Sequence, residues 1–143
     1  MKAWLLDVNV LIALLDTQHV QARRARAWFD ADPERHWLSC PLTENGTIRI
    51  MAGSTYSAPL PIDEVQRYFH ILMGVGNHRF VPDDISLLDE TVFRIDQLRS
   101  PKQITDAYLL ALATRHGAAL ATFDARIGTN AVRSSEAEIF LIP

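Results

Sequence analysis

A chain of 143 residues, 48% apolar and 22% charged, has the balance of a globular protein rather than a disordered one, and is long enough for one domain with a sizeable core. Its formal net charge of −3 supplies no overall positive field, so a nucleic-acid partner has to be held by a local basic patch. The single cysteine, Cys40, excludes an internal disulfide and a thiolate metal cluster, and points to a reducing cytoplasm.

The chain opens on an apolar run through Leu5 and Leu6, changes character at Asp7 and Asn9, and continues apolar to Leu15. That pattern predicts a buried strand ending at Asp7 and turning directly into a helix, and it is too short and too interrupted for a signal peptide or a membrane span. Asp7 or Asn9 then has two readings: a cap on the incoming helix, or a carboxylate at the carboxyl edge of a parallel sheet, where open α/β folds collect ligands. Residues 20–29 alternate apolar and basic side chains at helical spacing, and the pair Asp32-Pro33 ends that helix. A short strand is expected at 36–39. Pro41 suits the first turn of a helix reaching Met51, with Glu44 in its early turns.

The Gly, Ser, Tyr and Pro content of residues 52–61 marks a loop. A helix follows over 62–73, closed by Gly74 and Gly76; a third strand is expected at Phe80-Val81, and another amphipathic helix over 87–98 through Leu88, Val92, Ile95 and Leu98. The last third is the most regular. Asp106 precedes a helix over 107–116 that Gly117 closes; a buried strand runs from Ala119 to Asp124, and a final strand is expected over 139–142. Alternation of strand and helix predicts a parallel sheet covered on both faces.

Four carboxylates take comparable places: Asp7 and Asp124 after strands, Glu44 and Asp106 near helix starts. In a right-handed parallel sheet these ends share one rim, so the four are expected to converge. Clustered like charges need a cation, and an all-oxygen set without Cys or paired His favours Mg²⁺, with Mn²⁺ as the alternative. Each acid also has an ordinary role, as a helix cap at Asp106, a turn former at Asp124 or a solvated first-turn acid at Glu44.

The strings LLDVNVLIALLD, CPLTENGTIRI and ITDAYLLALATRHGAALATFD, in that order, resemble the PIN-domain ribonucleases, and among them the VapC-like toxins of bacterial toxin–antitoxin pairs. The resemblance covers nearly the whole chain, and the family's four acidic positions fall on Asp7, Glu44, Asp106 and Asp124. It implies a PIN-like three-layer α/β/α fold with a central, mostly parallel sheet, forming a single nuclease domain over residues 1–143. It also implies a Mg²⁺-dependent endoribonuclease acting on cellular RNA, neutralised by a cognate antitoxin and commonly a homodimer. Thr47 stands after Asn45-Gly46, where family members often carry a bulkier residue, a departure that touches packing more than chemistry.

Phosphodiester hydrolysis needs an activated water and charge stabilisation, which a carboxylate-held Mg²⁺ supplies. Asp7 and Asp106 are assigned the principal contacts, Glu44 and Asp124 complete the set, and Asn9 and Thr122 are outer donors that orient them, with capping an equal role for Asn9. Arg49, Arg79, Arg99, Lys102 and Arg126 are candidate phosphate contacts around this rim. An antitoxin is expected to lay a peptide over the acidic groove, with an Arg taking the cation's place. The competing class is a non-cleaving RNA- or antitoxin-binding module of the same fold. An aspartyl-phosphate mechanism is disfavoured because Asn9 and Leu11 stand where Asp-x-Asp-x-Thr needs Asp and Thr, and no Gly-x-Gly-x-x-Gly follows the first strand.

Overall fold

Successive residues of a strand face opposite sides of a sheet, and here both sides are covered. The computed structural model describes residues 2–143. Along the chain run β1 (Ala3–Leu6), α1 (Val8–Leu15), α2 (Ala22–Asp30), β2 (His36–Ser39), α3 (Pro41–Met51), α4 (Ile62–Met73), β3 (Asn77–Phe80), a 3-10 turn (Ile95–Gln97), α5 (Lys102–Arg115), β4 (Ala119–Thr122) and β5 (Ile139–Leu141). The strands lie in the order β3-β2-β1-β4-β5, and all four ladders are parallel.

Leu5, Leu38 and Leu120 pack on one face with Leu109, Leu112 and Phe93. Leu6, Trp37 and Ala121 pack on the other with Val10, Leu11, Phe29 and Phe69. This two-sided burial explains why the central strands read as continuous apolar runs. It also explains α5, buried at every residue from Ala107 to Ala113, which shows almost no polar stripe. Trp28, Phe29 and Phe69 join this packing, with Phe29 and Phe69 fully buried.

The turn into β3 requires glycine. Gly76 has φ +66°, and a Cβ there would lie 2.7 Å from the Arg35 carbonyl oxygen. That carbonyl also accepts the Asn77 N–H at 2.8 Å, starting β3 three residues earlier than Phe80-Val81 suggests.

Residues 87–98 do not form the expected helix. The stripe that motivated it is not buried as a unit: Leu88 is 89% exposed and Ile95 48%. The Asp89 carboxylate instead accepts the Thr91 N–H at 2.9 Å and its hydroxyl at 2.6 Å, a local bond that competes with helix. Phe93 then makes an antiparallel bridge with Val132, framed by Arg94 N–H to Ala131 and Arg133 N–H to Val92. α5 in turn starts at Lys102, ahead of residue 107, because the Gln103 side-chain oxygen accepts the Arg99 and Ser100 N–H groups and closes its first turn. Asp106 therefore lies inside α5 and caps nothing.

Candidate active site at the carboxyl rim

Strand register places the site. Leu6 pairs with Ala121, so Asp7 comes level with Thr122; Leu5 pairs with Leu38, so Ser39 sits beside Leu6, one step short of Asp7. Asp7 is the N-cap of α1, its Oδ1 accepting the Val8 N–H at 2.8 Å. Its Oδ2 accepts the Thr122 hydroxyl at 2.8 Å, and the Thr122 oxygen accepts the Asp124 N–H at 3.1 Å. One buried threonine thus joins two of the acids. The cap and the rim position are the same residue, Asp7. Asn9 lies in the first turn of α1, and its buried Oδ1 has no hydrogen-bond partner among the described residues.

The three aspartates feel one another. Burial pushes the Asp106 pKa up to about 6, and the charges of Asp7 and Asp124 push the same way, with Arg126 opposing. Asp7, 9% exposed, is also raised, first by burial, then by Asp124, against the lowering effect of its two hydrogen bonds. Asp124 is held below the ordinary carboxylate range by Arg126, whose guanidinium spans both its oxygens at 3.0 and 3.2 Å and whose N–H adds a third bond.

A raised carboxylate pKa means that the folded chain binds a proton more tightly than the unfolded one. Stability therefore falls as pH rises from about 4 to about 6, and a charged Asp106 is a cost above that window. Asp106→Asn should raise the melting temperature of the metal-free protein near pH 7.5 by roughly 3 °C, about 1 kcal/mol once screening of a half-buried group is allowed for, and the gain should vanish near pH 4. Thermal melts in EDTA at the two pH values check this.

Glu44 belongs to the first turn of α3, entered through the Cys40 N-cap and Pro41. Its Oε2 accepts the hydroxyl of Ser39 at 2.6 Å, and the Ser39 oxygen lies 2.8 Å from Nε2 of His78 on β3. Ser39 and His78 escaped the sequence reading. A buried serine ending an apolar strand was the available signal, but its partners depend on the pairing of β2 with β3.

As these side chains stand, no three His, Cys, Asp or Glu groups among the described residues close around an ion. Arg126 occupies both Asp124 oxygens and Ser39 one oxygen of Glu44. The donor set is nevertheless the right kind for a hard divalent cation: carboxylate oxygens, with Asp7 and Asp106 both raised by burial and by neighbouring negative charge. The opposing cation, Arg126, is 91% exposed along its side chain.

Arg99, Lys102 and Arg126 line a cavity of about 470 Å³ together with Asp106, Asp124 and Gln103. The other two predicted rim cations lie elsewhere. Arg79 donates to the carbonyl of His116, at the end of α5 far from Asp106, and Arg49 is an exposed residue in the last turn of α3 that does not line this cavity.

A protein-family model described as PIN domain matches residues 4–132. The chain is similar to Ribonuclease VapC44 of Mycobacterium tuberculosis, 46% identical over 128 residues and 90% of each chain. It is also similar to Ribonuclease VapC38 of the same organism, 42% identical over 139 residues and 96% of each chain. Ribonuclease VapC29, again from that organism, is 36% identical over 120 residues and 84% of each.

Proposed function

Because the chain belongs to the PIN-domain family, we propose that it is a Mg²⁺-dependent endoribonuclease toxin that hydrolyses phosphodiester bonds in cellular RNA and is neutralised by a cognate antitoxin. The observation that carries this reading is the coupling of Asp7, Asp106 and Asp124 on one rim of a parallel sheet. Long similarity to proteins named as ribonucleases supports the RNA substrate.

In this reading Asp7 and Asp106 hold the ion, with Glu44 and Asp124 completing the set. Bound Mg²⁺, or Mn²⁺ in its place, supplies Lewis acidity toward the phosphodiester and lowers the pKa of the attacking water. Thr122 fixes the Asp7 carboxylate through its hydroxyl and the Asp124 backbone through its oxygen. Asn9, in the first turn of α1, offers a buried amide oxygen with no hydrogen-bond partner among the described residues. Arg99 and Lys102 are exposed and line the same cavity as Asp106 and Asp124, which offers cations to RNA phosphates next to the acids.

The antitoxin reading has a local precedent. Arg126 already spans the Asp124 carboxylate, and an arginine brought by a partner peptide would make the same bidentate contact. A homodimer in a cytoplasmic setting completes the proposal; among the described residues no helix is long and apolar enough to cross a membrane.

Purified protein should cleave RNA with Mg²⁺, lose that cleavage in EDTA and recover it with Mn²⁺. Equal cleavage under all three conditions would overturn metal dependence, and tight RNA binding without turnover in either metal would favour the non-cleaving module.

A further inference from the structure

The Ser39 hydroxyl is fully buried, yet it bonds no backbone group. It is committed to two side chains from different elements, Glu44 of α3 at 2.6 Å and His78 of β3 at 2.8 Å. A hydroxyl has one proton to give and two lone pairs to fill. A carboxylate only accepts, so that proton goes to Glu44 Oε2, and the imidazole must then donate through Nε2.

We propose that Ser39 and His78 are positioning residues that aim the Glu44 carboxylate at the rim, through the chain His78 Nε2–H to Ser39 Oγ and Ser39 O–H to Glu44 Oε2. The inference rests on the reading of Glu44 as part of the ion-holding set, and adds to it the groups that hold Glu44 in place.

The surroundings are built for this. Trp37 and His78 are register partners in adjacent strands, with ring centroids 4.3 Å apart, and the indole is itself tied by Nε1–H to the Val75 carbonyl at 2.9 Å. The imidazole is therefore held by the sheet. Burial lowers the His78 pKa, so the ring is neutral at pH 7 and its single N–H has one place to be. Ser39, the last residue of β2, anchors Oε2 and leaves the second oxygen of Glu44 outside this chain of hydrogen bonds. Loss of the anchor would return a long, flexible side chain to solvent, and outer-shell partners of this kind are worth 10–100-fold in metal affinity, as an order of magnitude.

The test has two arms. In the unaltered chain, long-range ¹⁵N–¹H NMR, with His78 assigned by comparison with His78→Gln, should show the Nε2–H tautomer; the Nδ1–H tautomer overturns the proposal. In RNA-free calorimetric titrations with Mn²⁺, Ser39→Ala should weaken binding by about tenfold or more. His78→Leu should weaken it several-fold, and His78→Gln, which keeps an N–H donor, should restore it. In a Glu44→Gln background, Ser39→Ala should cost nothing further. Unchanged affinity in Ser39→Ala, or the same loss with Glu44 already removed, overturns the proposal. If Glu44→Gln alone binds Mn²⁺ as the parent does, Glu44 leaves the ion-holding set and the positioning role goes with it, while the aspartates and Mg²⁺-dependent cleavage stand. Absence of Mn²⁺ binding by the parent overturns both.

Discussion

Asp7→Asn should lower RNA cleavage by about a thousandfold or more, equivalent to roughly 4 kcal/mol of barrier, while the protein stays folded. The two effects separate because Asp7 does two things. As the N-cap of α1 it accepts the Val8 N–H, and Asn caps as well as Asp, so the helix start survives. The Thr122 hydroxyl, which now donates to Oδ2, can rotate to accept from an amide nitrogen. What disappears is one negative charge in a buried position, and with it a proposed ligand of the divalent cation.

That charge has a second readout. It is among the causes that raise Asp106, so the Asp106 carboxyl should titrate below its present value of about 6 in the variant. Carboxyl-carbon NMR of the metal-free variant follows this directly, alongside cleavage assays and a thermal melt. Full activity in Asp7→Asn would remove the proposed chemistry, and a collapsed melt would assign Asp7 to the fold.

Phe93→Ala should cost about 3–5 kcal/mol, a large part of the roughly 5–15 kcal/mol by which ordinary domains are stable. Phe93 is 1% exposed, packs in the cluster with Leu5, Leu109 and Leu120, and stacks on Tyr108 with centroids 6.4 Å apart and ring planes 14° from parallel. Its backbone is pinned by the bridge to Val132. Removing the ring leaves a cavity beside α5, two residues from Asp106, in a segment with little regular structure to collapse into it. Leu88→Ala, five residues earlier, should move stability by less than about 0.5 kcal/mol. A helix over 87–98 with its apolar stripe through Leu88, Val92, Ile95 and Leu98 would bury Leu88 and turn Phe93, about 140° around the axis, away from that stripe. Urea unfolding of both variants distinguishes the arrangements: a larger loss in Leu88→Ala than in Phe93→Ala would argue for the helix, the reverse order for the bridge.

The expectations that held share a physical feature. The β1-to-α1 junction at Asp7, α3 behind Pro41, α4 closed at Gly74, and the β4 run into Asp124 are set by periodicity, caps and breakers within a few residues, which act through local sterics and local hydrogen bonds. The misplaced elements failed where a local pattern met a non-local competitor. The 87–98 stripe lost to an Asp89 turn and a bridge from Phe93 to the distant Val132, and the start of β3 was set by the Arg35 carbonyl.

The chain by itself therefore determined the alternation of strand and helix, the parallel sheet it implies, and the placing of Asp7 and Asp124 at strand ends, because each follows from residues near in sequence. Only the tertiary structure decided which groups share a field or a proton. The pairing of β1 with β4 brings Thr122 to Asp7, and the pairing of β2 with β3 brings His78 to Ser39 and so to Glu44. Folding of α5 from Lys102 turns Asp106 from a cap into a half-buried carboxyl near pKa 6. Hydrogen bonds and pKa shifts of this kind depend on strand register and on depth below the surface, and both are fixed by contacts between distant residues that no short window of sequence contains.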